Sequence, residues 1–144
     1  MRRLLLFCIA LLALTACQPQ SPEAKELEAF AAAFQDANQA SNIEPMLALY
    51  QLKGSTKQTV NLLKNALLYE RGLPIQSIDF EPLSGSPEET IYFKHQSVQY
   101  EATLEPSRRM RVRYGTEDGF ESLFTIGQNA DGTWRIVSSR PKAP

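Results

Sequence analysis

Hydrophobic residues change their spacing near Pro74, and this change divides the chain into two parts. Before Pro74 they recur at intervals of three and four residues, the pattern of helices that bury one face. After Pro74 they alternate with polar residues, the pattern of strands that bury one face of a sheet. The chain is therefore predicted to begin with helices and to continue as a sheet.

Three helices are predicted in the first half of the chain. Ser21, Asn42 and Ser55 are the predicted N-caps, because their side-chain oxygens can accept a hydrogen bond from the first helical turn. The second helix is predicted to end at Gly54 and the third at Gly72, since glycine adopts the left-handed conformation that ends many helices. The predicted inward-facing residues are Leu27, Phe30 and Phe34; Met46, Leu49 and Tyr50; and Val60, Leu63 and Leu67.

About six strands are predicted in the second half. They are centred on 78–80 and 91–93 and then span 97–105, 109–114, 120–126 and 133–138. The last four are predicted to form an antiparallel meander. Its predicted register sets Met110 opposite Leu104, Tyr114 opposite Phe120, and Trp134 opposite Ile126. This register keeps the apolar residues on one face. The predicted fold is α+β, with three helices packed on one curved, mostly antiparallel sheet.

Two groups of residues mark the ends of this predicted domain. They are Phe30, Phe34, Asp36, Met46, Leu49 and Tyr50 in the helices, and Asp-Gly-Thr-Trp-Arg-Ile-Val over 131–137. In this order they resemble the nuclear-transport-factor-2-like superfamily of α+β cones, which includes SnoaL-like domains, over residues 22–138. The resemblance implies a pocket inside the cone. The catalytic carboxylates and tyrosine of isomerase-like members have no residue-by-residue match here, so no catalytic role is carried over.

The first 17 residues have the layout of an export signal. Arg2 and Arg3 precede a ten-residue apolar stretch over 4–13, which is too short for a membrane span of about 20 residues. Leu14-Thr15-Ala16-Cys17 resembles the lipobox of bacterial lipoproteins. The resemblance implies that diacylglycerol is attached to the sulfur of Cys17, that the chain is cleaved before it, and that the new amino terminus is acylated.

This signal determines the predicted domain organisation and location. Residues 1–16 are predicted to be a signal peptide, 17–21 a lipidated cysteine with a short tether, and 22–140 a single α+β domain. Two or three acyl chains make a lasting anchor, so the membrane is an expected partner through the covalent lipid. A protein or a small molecule is a possible further partner. In enteric-type sorting Asp after the cysteine retains a protein at the inner membrane, so Gln18 favours the outer membrane.

Charge and cysteine content exclude several classes of function. Without residues 1–16 the basic residues fall from 15 to 13, against 16 acidic ones, which gives a formal charge of −3. A general nucleic-acid binder would carry a basic excess instead. Cys17 would be the last cysteine, and its lipid excludes a disulfide or a Cys-ligated metal. His95, the single histidine, has no suitably spaced ligand residues, so no metal and no cofactor are predicted.

Three residues are candidates for chemistry. A pocket enzyme of the isomerase or hydratase type would need at least two of Asp36, Tyr50 and Asp79 in a deep polar pocket. The alternative is that Asp36 is a solvated helix residue and Tyr50 packs in the core. A general base must also reach its substrate and have a suitable pKa. No catalytic site is therefore predicted, and the favoured function is non-catalytic binding by an envelope lipoprotein.

An arginine-rich strand supports a third hypothesis. Arg109, Arg111 and Arg113 alternate with apolar residues and are predicted to share the outer face of their strand. They would form a binding patch if the protein were an adapter for anionic envelope surfaces. The alternative follows from the predicted register, which pairs Glu105 with Arg109 and Glu101 with Arg113 and leaves Arg111 unpaired. Such cross-strand pairs would largely cancel the positive field.

Overall fold

A computed structural model describes residues 20–143, and over these residues the fold is α+β with four helices and two mostly antiparallel sheets. The helices are α1 (Pro22–Asn38), α2 (Glu44–Leu47), α3 (Lys57–Glu70) and α4 (Pro87–Thr90). The strands are β1 (Tyr50–Gln51), β2 (Ile75–Pro82), β3 (Phe93–His95), β4 (Val98–Ala102), β5 (Arg108–Tyr114), β6 (Glu121–Gln128), β7 (Trp134–Val137) and β8 (Ser139–Pro141). The predicted signal peptide and Cys17 lie outside the described residues. Within them, every helix is too short or too polar to cross a membrane.

The helices differ from the prediction in number and length. α1 begins as predicted, since the side chain of Ser21 accepts a hydrogen bond from the N–H of Ala24 (3.2 Å). The predicted second helix is wrong in length, because α2 spans four residues and the chain then extends into β1, which pairs in parallel with β7. Thr56 rather than Ser55 caps α3, because the Ser55 hydroxyl donates to the carbonyl of Ser139 (2.8 Å).

The strands form two sheets rather than the single predicted one. The larger has the order β1-β7-β6-β5-β2, and the smaller has the order β3-β4-β8. The predicted pairing of Met110 with Leu104 is wrong, because β5 lies between β2 and β6 while β4 lies between β3 and β8. The predicted loop after residue 82 contains α4, a short helix that the strand pattern did not indicate.

The predicted register holds for one hairpin and is shifted in the next. The N–H of Tyr114 donates to the carbonyl of Phe120 (3.0 Å), as the prediction requires. Ile126 lies opposite Ile136 rather than Trp134, a shift of two residues that keeps the same side chains on the same face. A shift of two is invisible to a pattern whose period is two.

The core lies between the helices and the inner face of the larger sheet. Its fully buried side chains include Phe34, Met46, Leu67, Met110, Val112, Tyr114, Ile126 and Ile136. The rings of Phe34 and Phe124 are in contact, with centroids 5.4 Å apart, so α1 packs directly on β6. These side chains fill the centre of the domain, where the resemblance implies a pocket.

Candidate functional site

A cleft of about 640 Å³ lies, away from the core, between the two chain segments that connect the sheets, one from β2 to β3 and one from β4 to β5. We call it the junction cleft. One wall is the segment 83–92, which contains α4, and the other is formed by 101–106 at and beyond the end of β4. Its apolar lining includes Leu83, Tyr92, Leu104 and Pro106, and its charged lining includes Glu101, Glu105 and Arg140.

Glu89 organises the loop that forms the first wall. Its carboxylate is almost fully buried and accepts four hydrogen bonds. The N–H and the hydroxyl of Ser84 donate to Oε1 (2.9 Å each), and the N–H groups of Gly85 (2.7 Å) and Ser86 (3.2 Å) donate to Oε2. These donors, led by the N–H of Ser84, lower the pKa of Glu89 because they favour the ionised carboxylate. The capping-box spacing of Ser86 and Glu89 is visible in the sequence, but it was not used to predict this helix.

The same wall contains a strained residue. Ile91 has a φ of 50°, in the left-handed region that β-branched residues rarely adopt. It directly precedes Tyr92, whose ring lines the cleft and is 58% exposed. The ammonium of Lys142 lies 5.6 Å from the centre of this ring, within range of a cation–π interaction. Such strain is often found at functional sites, and here it lies beside the cleft-lining ring of Tyr92.

A close backbone contact sets the second wall. Gly127 of β6 is buried, and a Cβ there would overlap the carbonyl oxygen of Glu105. Two residues earlier, the N–H of Thr103 donates to the carbonyl of Ser138 (2.9 Å), and the N–H of Ser138 donates to the Thr103 hydroxyl (3.0 Å). The wall is therefore joined to both sheets.

The junction cleft combines apolar surface with an excess of negative charge. Glu101 and Arg140 form an ion pair (3.0 Å) and neutralise each other. Within residues 20–143, the carboxylate of Glu105 has no ion pair, and the residue is exposed. The carboxylate of Glu89 is already saturated by its own loop. Among the cleft carboxylates within the described residues, the one left free is therefore Glu105, which suits a ligand with an apolar part and a positive or hydrogen-bond-donating group.

The three candidate residues for chemistry are not brought together. Asp36 is exposed on α1, and Asp79 lies on the outer face of the larger sheet, where it pairs with Arg113. Tyr50 is buried in the core, and burial, followed by the nearby Glu70 carboxylate, raises the pKa of its hydroxyl. None of the three lines the junction cleft.

A polar cluster that was not predicted joins α3 to the larger sheet. The hydroxyl of Tyr114 donates to Oε2 of Glu70 (3.0 Å), and the hydroxyl of Ser122 donates to Oε1 (2.8 Å). Burial is the main cause that raises the pKa of Tyr114, and the adjacent carboxylate acts in the same direction. These residues are 44 and 52 positions apart from Glu70, so no local pattern in the sequence could have indicated the cluster.

The arginines of β5 share the outer face of the sheet, but their partners differ from the prediction. Arg111, predicted to be unpaired, donates to both oxygens of Glu81 (2.6 and 3.2 Å) and also pairs with Glu121. This contact lowers the pKa of Glu81 and raises the pKa of Arg111. Arg113 pairs with Asp79 and, at 3.7 Å, with Glu121.

The two glutamates predicted to pair with these arginines are elsewhere. Glu101 pairs with Arg140, and Glu105 lines the junction cleft, because β4 does not lie beside β5. Arg109 donates to the hydroxyl of Thr125 (3.3 Å). Carboxylates on the neighbouring strands therefore cancel most of the positive charge of this face.

His95 is exposed in β3 and lines a smaller groove of about 240 Å³. Within residues 20–143, no group of three or more His, Cys, Asp or Glu side chains is placed to hold a metal ion.

No protein-family model matches the chain, and a search of curated proteins likewise found no match.

Proposed function

We propose that this chain is an exported bacterial lipoprotein, anchored through a lipid on Cys17, whose domain binds a ligand in the junction cleft without catalysis. The observation that carries the binding proposal is the cleft itself. Its volume of about 640 Å³ falls within the range of small-molecule sites. Local contacts shape both walls: Glu89 organises the loop of one wall, and the backbone of the other wall packs closely against Gly127. Leu14-Thr15-Ala16-Cys17 supports the anchor.

The proposal includes membership of the nuclear-transport-factor-2-like superfamily. The supporting features are the α+β class and the long first helix, which packs its apolar face on the larger sheet. The filled core distinguishes this chain from a cone with an open central pocket. Ligand binding is therefore proposed in the junction cleft rather than inside the cone.

The cleft lies near the end of the domain that the anchor would hold. Ser21, the N-cap of α1, is four residues beyond Cys17, a distance of at most about 14 Å in an extended chain. Glu23 in the first turn pairs with Arg108 (2.6 Å), and Pro106, two residues before Arg108, lines the cleft. The proposed ligand is therefore a component of the envelope, available close to the membrane surface, with the outer membrane favoured.

The cleft chemistry favours a ligand that combines an apolar group with a cation. Hexylammonium, hexanol and hexanoate share one tail and differ in charge, so they are matched probes. We expect hexylammonium to bind at least about threefold more tightly than hexanoate, as measured by backbone amide shifts in titrations of the protein. Glu105→Gln should reduce this preference, whereas Glu117→Gln, at an exposed turn, should not. Equal affinity for all three probes would contradict the proposed ligand class.

The anchor is tested separately. In a bacterial host that processes lipoproteins, the full chain should incorporate labelled palmitate and fractionate with membranes. Cys17→Ser should lose both properties, because serine lacks the sulfur that takes the lipid. Palmitate labelling that survives this substitution would show that the lipid is not on Cys17.

The two alternative functions stay predictions with their own tests. If the arginine strand is an adapter, replacing Arg109, Arg111 and Arg113 with Ser should abolish binding to anionic vesicles. The carboxylate partners of Arg111 and Arg113 weigh against it. If the domain is an isomerase or a hydratase, the purified protein should turn over a substrate in an activity panel.

A further inference from the structure

β2 is an edge strand of the larger sheet. It pairs with β5 on one side, and within the described part of the chain no strand lies on its other side. Within residues 20–143, the main chain of 76–82 makes no hydrogen bond outside its pairing with β5. One side of this strand is therefore open to a further strand.

The register identifies the backbone groups that face the open side. The N–H of Tyr114 in β5 donates to the carbonyl of Phe120. The backbone N–H and C=O groups of even-numbered residues in β5 therefore point towards β6, and those of odd-numbered residues point towards β2. The N–H of Gly115, which donates to the carbonyl of Pro74 (2.7 Å), points the same way as those odd-numbered residues. The odd-numbered residues of β5 are therefore the ones that exchange hydrogen bonds with β2.

Their partners in β2 are Ser77, Asp79 and Glu81. Because successive residues of a strand point to opposite sides, the N–H and C=O groups of Ile78 and Phe80 face outwards. Within the described residues, these four backbone groups have no hydrogen-bond partner. The side chains of Ile78 and Phe80 themselves pack against the core.

The side chains beside this edge are acidic. Asp79 and Glu81 stand on the outer face, with side chains that are 49% and 37% exposed. Their arginine partners lie on β5, away from the open side. A strand added to β2 would therefore place its own outward residues next to two carboxylates.

We infer that the open edge of β2 receives an extended segment of a partner protein with basic residues at alternate positions. Strand addition supplies affinity through main-chain hydrogen bonds, and the alternating side chains supply specificity. A second copy of this chain fits less well. The antiparallel register that uses both Ile78 and Phe80 would place Asp79 directly opposite Asp79 of the second copy, and like charges in that position are destabilising.

The ends of β2 limit the length of the partner segment. Pro82 cannot donate a hydrogen bond, and the pairing with β5 is irregular between Ile75 and Ser77. The usable edge is therefore the five residues from Ser77 to Glu81, enough for a short strand but not for extended aggregation.

Hydrogen exchange of the free protein tests the geometry. In the full chain in a neutral detergent, the amides of Ile78 and Phe80 should exchange quickly, and those of Ser77, Asp79 and Glu81 slowly. Slow exchange at Ile78 and Phe80 in dilute protein would show that the edge is already covered, and it would overturn the inference.

Peptide binding tests the partner class. The probe is a seven-residue peptide of alternating Lys and Val, and its control has Glu in place of Lys. The lysine peptide should slow exchange at Ile78 and Phe80 and should bind about fivefold to tenfold more tightly than the glutamate peptide. Protection elsewhere, or equal affinity for both peptides, would overturn the inference.

Substitutions complete the test. Replacing Asp79 and Glu81 with Lys should reverse the preference between the peptides, whereas Asp36→Lys on α1 should leave it unchanged. Exchange of the free double variant checks that β2 and β5 still pair. The amides of Ile78 and Phe80 could instead become protected as the protein concentration alone rises, with a dimer seen in sedimentation. That result would show that the edge binds a second copy of the chain, and it would overturn the inference of a basic partner.

Discussion

Glu89 is a single residue whose ionisation shapes one wall of the junction cleft. Its four donors stabilise the carboxylate and keep 84–86 folded around it. Because the pKa of Glu89 in the folded protein is below its ordinary value of 4.5, this contribution is complete above pH 4.5. It is lost as the pH falls through the lowered pKa.

Replacing Glu89 by Gln removes this pH-dependent contribution. The variant should be less stable than the wild type at pH 7, and the difference in melting temperature should shrink as the pH falls below 4.5. Thermal unfolding at a series of pH values measures this. Glu28→Gln, at an exposed position of α1, is the control and should follow the wild-type curve. Parallel curves for Glu89→Gln and the wild type would contradict the role given to this carboxylate.

Gly127 has no side chain, and this allows the backbone of the other wall to pack closely against β6 at Glu105. Gly127→Ala would force the Cβ against the carbonyl oxygen of Glu105, so the backbone of one of the two segments must shift. We expect a loss of about 1–3 kcal/mol in the free energy of unfolding, the range for overpacking. Gly115→Ala is the control, because its Cβ would have only ordinary contacts, at 3.8 Å from Pro74. Urea unfolding compares the two, and equal losses would show that the contact at Gly127 is not special.

At the scale of elements, α3 is joined to the larger sheet by the cluster of Glu70, Tyr114 and Ser122. Tyr114→Phe removes a hydrogen bond to a carboxylate and should cost about 1.5–3 kcal/mol of the unfolding free energy. Ser122→Ala should cost a similar amount. The loss of unfolding free energy in the double variant should differ from the sum of the two single losses, because both hydroxyls share Glu70. Tyr69→Phe, 67% exposed on the same helix, should cost little, and an additive double variant would contradict the shared role.

Local patterns in the sequence predicted those elements that depend on local contacts. Ser21 and the apolar face of α1 were sufficient to predict that helix. The alternation of apolar and polar residues was sufficient to predict β5 and β6. Tyr50 shows where the pattern fails: its helical spacing with Met46 fits α2, yet β7 draws it into a parallel pair with Ile136. Such pairing depends on residues 86 positions away.

The candidate site was harder to predict than the fold. Glu101 and Glu105 were assigned to arginines of β5 because a meander is the simplest arrangement of consecutive strands. The short strand β8 pairs with β4 instead and brings Arg140 to Glu101. The cleft exists because the sheet is divided in two, and no local spacing of residues records that division.

At the scale of the whole molecule, the proposed anchor and the proposed binding site lie close together. The proposed anchor precedes α1 directly, and α1 begins beside the start of β5, next to the cleft. Ion pairs make the outer face of the larger sheet nearly neutral as a whole, while its carboxylates on β2 stand nearest the open edge. A short tether would therefore hold one binding surface near the membrane and leave the β2 edge for a protein partner.

The most direct test of the central claim compares two exposed leucines. Leu83 lines the junction cleft, and Leu123 lies on the outer face of the larger sheet; they are 38% and 44% exposed. Titration with hexylammonium, followed by backbone amide shifts, should map to 83–92 and 101–106 in the wild type. Leu83→Gln should abolish the shifts at these walls, because it removes apolar lining without adding a charge that would itself attract the cation, and Leu123→Gln should bind like the wild type. Unchanged binding by Leu83→Gln, or shifts centred elsewhere, would contradict the junction cleft as the binding site.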